Sequence, residues 1–388
     1  MNLQKKEQPY SGFEQGAIRP PSEAYSLLIR VTRNCSWGRC AFCPVYKGLP
    51  FSVRPVEHVK KDIDLISGYV QLIEKMADKS GHVTRAEVMG ETDKMNSGEL
   101  QAFSAAFNWL AGGMKSIFIQ DANSLVIKPA NLVEILFYLK KCFPQAERIT
   151  SYARSHTVAR IKDDDLKAIS EAGLNRIHIG LESGSDQVLE MVKKGVTKAG
   201  HIKAGLKVKK AGMELSEYVM PGLGGRKYSK VHAIETADAL NQINPDFIRL
   251  RPLALTEGIE LTREYKAGRF DKCTDLMMAE ELLLLIENLD DGLTSVIKSD
   301  HILNLFEDLG GAVNEEKEKM LTILRTFLSM EPERRCLYQV GRRRGIFSGL
   351  GDMDNSMRVS KVERICKEHG ITPENVDGFL DSMMNMFV

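Results

Sequence analysis

From residue 23 to about 256, short apolar, β-branched runs alternate with longer polar-faced amphipathic ones. Strands joined in series by helices must run in the same direction within one sheet, so this alternation constrains the chain to a parallel β/α architecture. The spacing predicts strands over 25–32, 115–120, 148–153, 176–181, 214–220 and 247–253. It predicts helices over 56–77, 99–110, 130–141, 163–172, 187–193, 199–211 and 231–243. Gly173 and Gly212 are the stop signals of two of them, and Pro55 stands just ahead of the first. Six such units suggest a partial (β/α)6 TIM-like barrel, open on one side, rather than a closed eight-fold one. Functional groups then belong at the C-terminal ends of the strands. After Thr256 no strand alternation is visible, and 277–289, 315–330, 361–369 and 375–384 read as helices. The expected organisation is an N-terminal tail (1–22), a core (23–256) and a mainly helical C-terminal extension (257–388). The run Met383-Met384-Asn385-Met386 reads as adaptable packing or a frayed end.

Directly after the first predicted strand comes Asn34-Cys35-Ser36-Trp37-Gly38-Arg39-Cys40-Ala41-Phe42-Cys43. Four cysteines normally complete an Fe–S cube, so three packed into one loop suggest a cube with one iron left open. An open coordination position distinguishes a catalytic metal site from a closed structural one. Zinc is the competing ligand for a Cys-rich loop, but a zinc finger needs a fourth ligand at regular spacing. Cys142, Cys273, Cys336 and Cys366 are single and scattered, and the nearest downstream histidine, His58, falls in a predicted helix. Those four cysteines read as small buried hydrophobes. Seven cysteines without regular pairing do not describe a disulfide framework. The polar N-terminus, with Lys5, Lys6 and Glu7, does not read as a signal peptide, and no run approaches the ~18 apolar residues of a membrane span. A cytoplasmic protein with no membrane partner is expected. A net charge of +1 gives no global field to attract nucleic acid, and 43% hydrophobic residues supply ample core material.

The cysteine loop resembles the cluster motif of the radical S-adenosylmethionine (SAM) enzymes, with Phe42 in the aromatic place and the Cys40–Cys43 gap matching. The first gap departs: Ser36, Trp37, Gly38 and Arg39 make four residues where the superfamily usually has three. A second segment adds to the resemblance. Ile177-His178-Ile179-Gly180-Leu181-Glu182-Ser183-Gly184-Ser185-Asp186 ends a strand, turns and opens a helix. Down to Val192-Lys193-Lys194-Gly195, it is similar to the fourth strand and helix of the coproporphyrinogen-oxidase-like and methylthiotransferase-like branch.

The resemblance implies Cys35, Cys40 and Cys43 as ligands of a [4Fe–4S] cluster whose fourth iron is chelated by SAM. One electron then breaks the S–C5′ bond to give a 5′-deoxyadenosyl radical, which abstracts hydrogen from a substrate. It implies Glu182 and Ser183 at the ribose and Lys194 at the methionine carboxylate, where the family usually has arginine. It implies Glu217 at the ribose, the Gly222–Gly225 backbone near the adenosine, and Asp121 or Asn123 in place of a Gly-Gly-Glu segment. It also implies a low-potential electron donor, flavodoxin or ferredoxin.

Substrate-pocket candidates come from residue alternation. Tyr152, Arg154 and His156 lie on or just beyond the third predicted strand, and Arg249 and Arg251 share a face of the sixth. A cationic pocket suits an anionic small molecule, although such arginines also serve as structural ion pairs. Arg334, Arg335, Arg342, Arg343 and Arg344 form the most basic run, a grip for RNA or a solvated loop. RNA modification ranks below small-molecule chemistry, because neither an RNA-binding β-domain nor further cluster cysteines are visible. A non-catalytic Fe–S or haem-handling protein on the same scaffold is the alternative from another class.

Overall fold

A computed structural model describes residues 9–78 and 80–384. Its main sheet has eight strands: β1 Leu27–Arg30, β2 Ser116–Gln120, β3 Arg148–Ala153, β4 Arg176–Glu182, β5 Glu214–Val219, β6 Phe247–Leu250, β7 Val296–Lys298 and β8 Gly311–Ala312. They lie side by side in sequence order, β1 to β7 parallel and β8 antiparallel to β7. The order ends at β1 and β8 without closure, giving a partial barrel. Helices such as Val56–Met76, Pro129–Cys142, Lys198–Lys210 and Gly225–Ile243 connect and cover the strands. Ile117, Ile149, Ile177, Leu215 and Ile248 point alternately away from the lumen and are fully buried in one continuous core.

The six expected strands are present, but the sheet continues past them. The 257–388 segment is mainly helical, as expected, yet it adds β7 in parallel register with β6 (Phe247↔Val296, Ile248↔Ile297) and then β8. Three and two residues are too short to show alternation in a sequence, which is why no strand was visible there. The helices Arg85–Thr92 and Pro332–Arg343 were also not anticipated.

The expected tail is part of the fold from residue 9 onward. Phe13 is buried in the core, Glu14 pairs with Arg33 (2.6 Å) and Arg54 (2.8 Å), and the Tyr10 hydroxyl donates to Asp62 (2.8 Å). Arg54 in turn pairs with the buried Asp62 at 2.6 Å. Gln120, at the end of β2, exchanges hydrogen bonds with the Gly16 backbone and donates to the Ile18 carbonyl. This strap therefore lies across the strand ends that carry the site.

A second close approach fixes the turn after β4. The Gly184 N–H donates to Thr236 Oγ1 (2.9 Å), and a Cβ there would stand 2.1 Å from the Glu235 carbonyl oxygen. That neighbour is helix backbone and cannot give way. Gly184→Ala is expected to cost about 2–3 kcal/mol, read as a lowered Tm in thermal unfolding.

Candidate active site

The cysteine loop is tied at its base. Thr32–Arg33 and Ser52–Val53 form a two-stranded antiparallel ribbon, so the residues between them close back on themselves at the C-terminal end of β1. Its interior is docked on neighbours. The Ala41 N–H donates to the Val192 carbonyl and the Leu261 N–H to the Ala41 carbonyl. Asn123 Nδ2 donates to Ser36 Oγ and to Thr157 Oγ1 (both 2.9 Å), while its Oδ1 accepts the Arg154 N–H (3.0 Å). The four-residue gap has a structural role. The Trp37 indole N–H donates to the Lys193 carbonyl (2.8 Å), and the Trp37 and Gly38 backbone N–H groups approach Cys35 Sγ at 3.4 and 3.5 Å.

Cys35, Cys40 and Cys43 all line one cavity of about 240 Å³ at the strand ends, together with Phe42, Gly180, Glu182, Lys194, Tyr152, Arg154, Tyr218 and Arg251. Glu182 and Lys194 are ion-paired at 3.0 Å, and the ammonium lies 5.7 Å from the Phe42 ring centroid. Glu182 has a left-handed backbone (φ +63°) at a register shift between β4 and β5. A non-glycine residue in that region carries strain of about 1–3 kcal/mol, a cost that gathers at functional sites. Gly180 is needed beside it, since a Cβ there would stand 2.1 Å from Glu182 Oε1. Burial opposes the charge on Lys194, but Glu182 and Cys40 outweigh it and raise its pKa. Burial pushes the Cys40 thiol up, while Lys194 and Arg154 pull towards thiolate. Burial also raises the phenols, Tyr218 to about 12 and Tyr152 well above its usual value.

Several sequence-selected residues lie elsewhere. Asp121 is fully buried with φ +72°, accepting from Arg30 Nε (2.6 Å) and the Tyr46 hydroxyl (2.9 Å). Asn123 is occupied as the loop latch. Ser183 is buried against His232 Nδ1 (2.8 Å) and accepts from the Ser185 N–H. The Gly222 N–H, with φ +81°, donates to the buried Glu281 (2.7 Å). None of these four lines the cavity, nor does Glu217. Glu217 is fully buried, and neither of its carboxylate oxygens has a hydrogen-bond partner among the described residues.

Of the pocket candidates, Tyr152, Arg154 and Arg251 line the cavity, whereas His156 and Arg249 do not. Arg249 instead holds Asp300 (2.9 Å) and Ser216 Oγ (3.2 Å), and the Arg154 guanidinium donates to the Lys194 carbonyl (2.7 Å). The basic run is largely spent inside the fold. Arg343 is buried against Asp275 (2.9 Å), Arg342 donates to the carbonyls of Asn304, Leu305 and Phe347, and Arg335 caps Leu328 and Met330. Cys273, Cys336 and Cys366 are buried, and Cys142 is half-buried. Sequence reasoning missed Tyr46, Tyr218 and Ile18 as cavity residues. The alternation of Tyr218 with the outward-facing Leu215, Glu217 and Val219 was the available signal for the second.

The donor set fits a cluster better than a single ion. Thiolates around one zinc at Zn–S distances of about 2.3 Å would stand ~3.8 Å apart. Among the described residues no three His, Cys, Asp or Glu side chains converge on a single metal position. Thiolates of a cube bind separate irons, and these three all face one shared cavity.

The family profile described as the Radical SAM superfamily matches residues 29–237, more than half of the chain. The chain belongs to the radical SAM superfamily, whose members are enzymes that use a [4Fe–4S] cluster and SAM. Among curated proteins it is similar to the tRNA uridine(34) acetyltransferases of Methanocaldococcus infernus (22% identical over 247 residues, 61% of this chain, 44% of that protein) and Methanocaldococcus jannaschii (22% over 263 residues, 61% and 43%). The chain thus spans less than half the length of these relatives. Among solved structures it is similar to coproporphyrinogen III oxidase (HemN) from Escherichia coli, at 13% identity and a TM-score of 0.43, covering 68% of this chain and 52% of that one. Among the described residues no helix is long and apolar enough to cross a membrane.

Glu217 gives a test of the buried geometry. Burial raises its pKa well above the ordinary value despite the opposing charge of Lys194. The folded state keeps a proton that the unfolded chain releases above about pH 4.3. Stability from this group is therefore full below that pH and lost as pH rises towards the folded pKa, by about 1.4 kcal/mol per pH unit. Glu217→Gln is expected to raise Tm more at pH 8 than at pH 5, as read in a pH series of thermal melts.

Proposed function

We propose that this protein cleaves SAM reductively and uses the resulting radical to take a hydrogen atom from an anionic small molecule. The observation that carries the reading is the sharing of one strand-end cavity by three cysteines and the Glu182–Lys194 pair. When bound, the cluster and SAM supply one-electron scission of the S–C5′ bond. The chain does the rest. Cys35, Cys40 and Cys43 hold the cluster, and the Trp37 and Gly38 backbone N–H groups would donate to Cys35 Sγ and orient it there. Lys194 offers its charge to the methionine carboxylate, and Glu182 offers a carboxylate to the ribose hydroxyls. Tyr152, Tyr218, Leu253 and Leu303 line the same cavity and limit water there.

Arg251 supports the anionic substrate. It is exposed at the cavity and has no ion-pair partner among the described residues, whereas Arg154 and Arg249 are already engaged. Asp121, Asn123, Ser183, Gly222 and Glu217 act as supports behind the ligands in this reading. An RNA substrate is the second reading, favoured by the names of the curated relatives. Burial of Arg342 and Arg343 removes much of the surface that would serve it.

Anaerobic reconstitution with iron and sulfide, followed by SAM and dithionite, is expected to yield 5′-deoxyadenosine. The Cys35→Ala/Cys40→Ala/Cys43→Ala variant is expected to yield none. An iron-loaded wild type that produces none would sink the proposal. Lys194→Ala is expected to raise KM for SAM about 10- to 100-fold, the scale of one lost charged hydrogen bond, with the cluster content retained.

A further inference from the structure

An apolar helix of the C-terminal extension, Asp275–Glu287, carries Leu282, Leu285 and Ile286 into the core and buries Glu281 beside them. A carboxylate stays charged in such a place only where donors meet it. Three groups meet Glu281. The Gly222 N–H donates to Oε1 (2.7 Å), the Ser229 hydroxyl donates to Oε2 (2.6 Å), and His232 Nε2 stands 3.5 Å from Oε1. Glu281, Ser229 and His232 all lie behind the cavity and do not line it.

Two branches run from this carboxylate to the cavity wall. In the first, the Gly222 N–H and the Pro221 carbonyl belong to one trans peptide and point in opposite directions. With the N–H turned to Glu281, the carbonyl faces the other way and accepts the Leu253 N–H (2.9 Å). In the second, the fully buried His232 places its Nε2 3.1 Å from the Met220 carbonyl. A carbonyl only accepts, so Nε2 carries a proton, shared between that oxygen and the Glu281 carboxylate. The Met220 N–H donates in turn to the Glu182 carbonyl (3.0 Å), and Ser183, the next residue, sits with its Oγ 2.8 Å from His232 Nδ1. Glu182, Met220 and Leu253 all line the cavity. Glu182 needs such backing, because a left-handed backbone (φ +63°) persists only where its surroundings hold it.

We propose that Glu281 is a positioning residue for SAM. Acting through Gly222 and His232, it holds the Met220–Gly222 turn in place, so that Glu182 meets the ribose. The proposal rests on the SAM reading given above. It makes the helix Asp275–Glu287 part of the frame of the cofactor site, although no side chain of that helix lines the cavity.

Glu281→Met and Glu281→Gln in the reconstituted holoprotein test it. Methionine keeps the length and suits the apolar helix, but its thioether is a weak acceptor. Glutamine keeps an oxygen for the Gly222 N–H and can offer its amide to Ser229 Oγ. SAM affinity is measured by equilibrium dialysis, with cluster content and Tm in parallel. Glu281→Met is expected to weaken SAM binding about tenfold, the scale of one aligned hydrogen bond, with cluster content retained. Glu281→Gln is expected to bring the affinity back to within about twofold of the wild type. His232→Leu cuts the second branch and is expected to weaken SAM binding likewise; it decides the matter if Glu281→Met does not fold. Wild-type affinity in the cluster-loaded Glu281→Met, or in His232→Leu where only that variant folds, would overturn the proposal whatever happens to Tm. A purely structural group lowers Tm and leaves the affinity of the folded protein alone. An equal loss in Glu281→Gln would also overturn it, since positioning depends on the hydrogen bonds that glutamine keeps. A wild type that binds no SAM sinks the SAM reading, and this proposal with it.

Discussion

The ion pair between Glu182 and Lys194 ties the separate parts of this site together. Glu182 holds it from a left-handed backbone position at the end of β4, and Gly180 leaves the space it occupies. Lys194 comes from the chain after the next helix, beside Phe42 and within the electrostatic reach of Cys40. Its carbonyl takes the Arg154 guanidinium from the end of β3, and Trp37 is anchored on the preceding carbonyl. Strand end, cysteine loop and helix entrance therefore meet at one charged contact. A semi-buried pair of this kind contributes modestly to net stability, and its stronger effect is to fix geometry.

Much of this was legible in the sequence because it rested on strong periodicity and on rare residues. The boundaries of β3, 148–153, were readable in full, since a β-branched run there is bounded by polar segments. The cysteine loop stood out by spacing, and Gly180, Glu182 and Lys194 by resemblance. The inward and outward faces of a strand end are harder to read. Glu217 and Tyr218 are adjacent, and only the sheet's pleat decides that Tyr218 meets the cavity while Glu217 is buried behind it. Ser183 and Gly222 follow irregular turns, where no period predicts direction, and their hydrogen bonds turn them towards His232 and Glu281.

Long-range structure accounts for the remainder. Nothing local in Val296–Lys298 or Gly311–Ala312 signals a strand; the first exists because β6 offers an edge to pair with, and the second because β7 then offers the next. The arginine run looked like a surface patch by composition, yet Arg342 and Arg343 satisfy carbonyls and a carboxylate around residues 303–307 and Asp275. Buried carbonyls need donors, and a long guanidinium reaches several at once. The extra residue between Cys35 and Cys40 likewise acquires meaning only from Lys193 and Gly195, distant in sequence, which receive Trp37.

The central claim is that three cysteines hold a cluster whose remaining iron is open to SAM. Electron paramagnetic resonance of the reconstituted, reduced protein, recorded before and after SAM is added, tests it most directly. The account predicts a single reduced [4Fe–4S] signal whose g values shift when SAM binds. A signal indifferent to SAM, or a colourless protein carrying stoichiometric zinc, would contradict it.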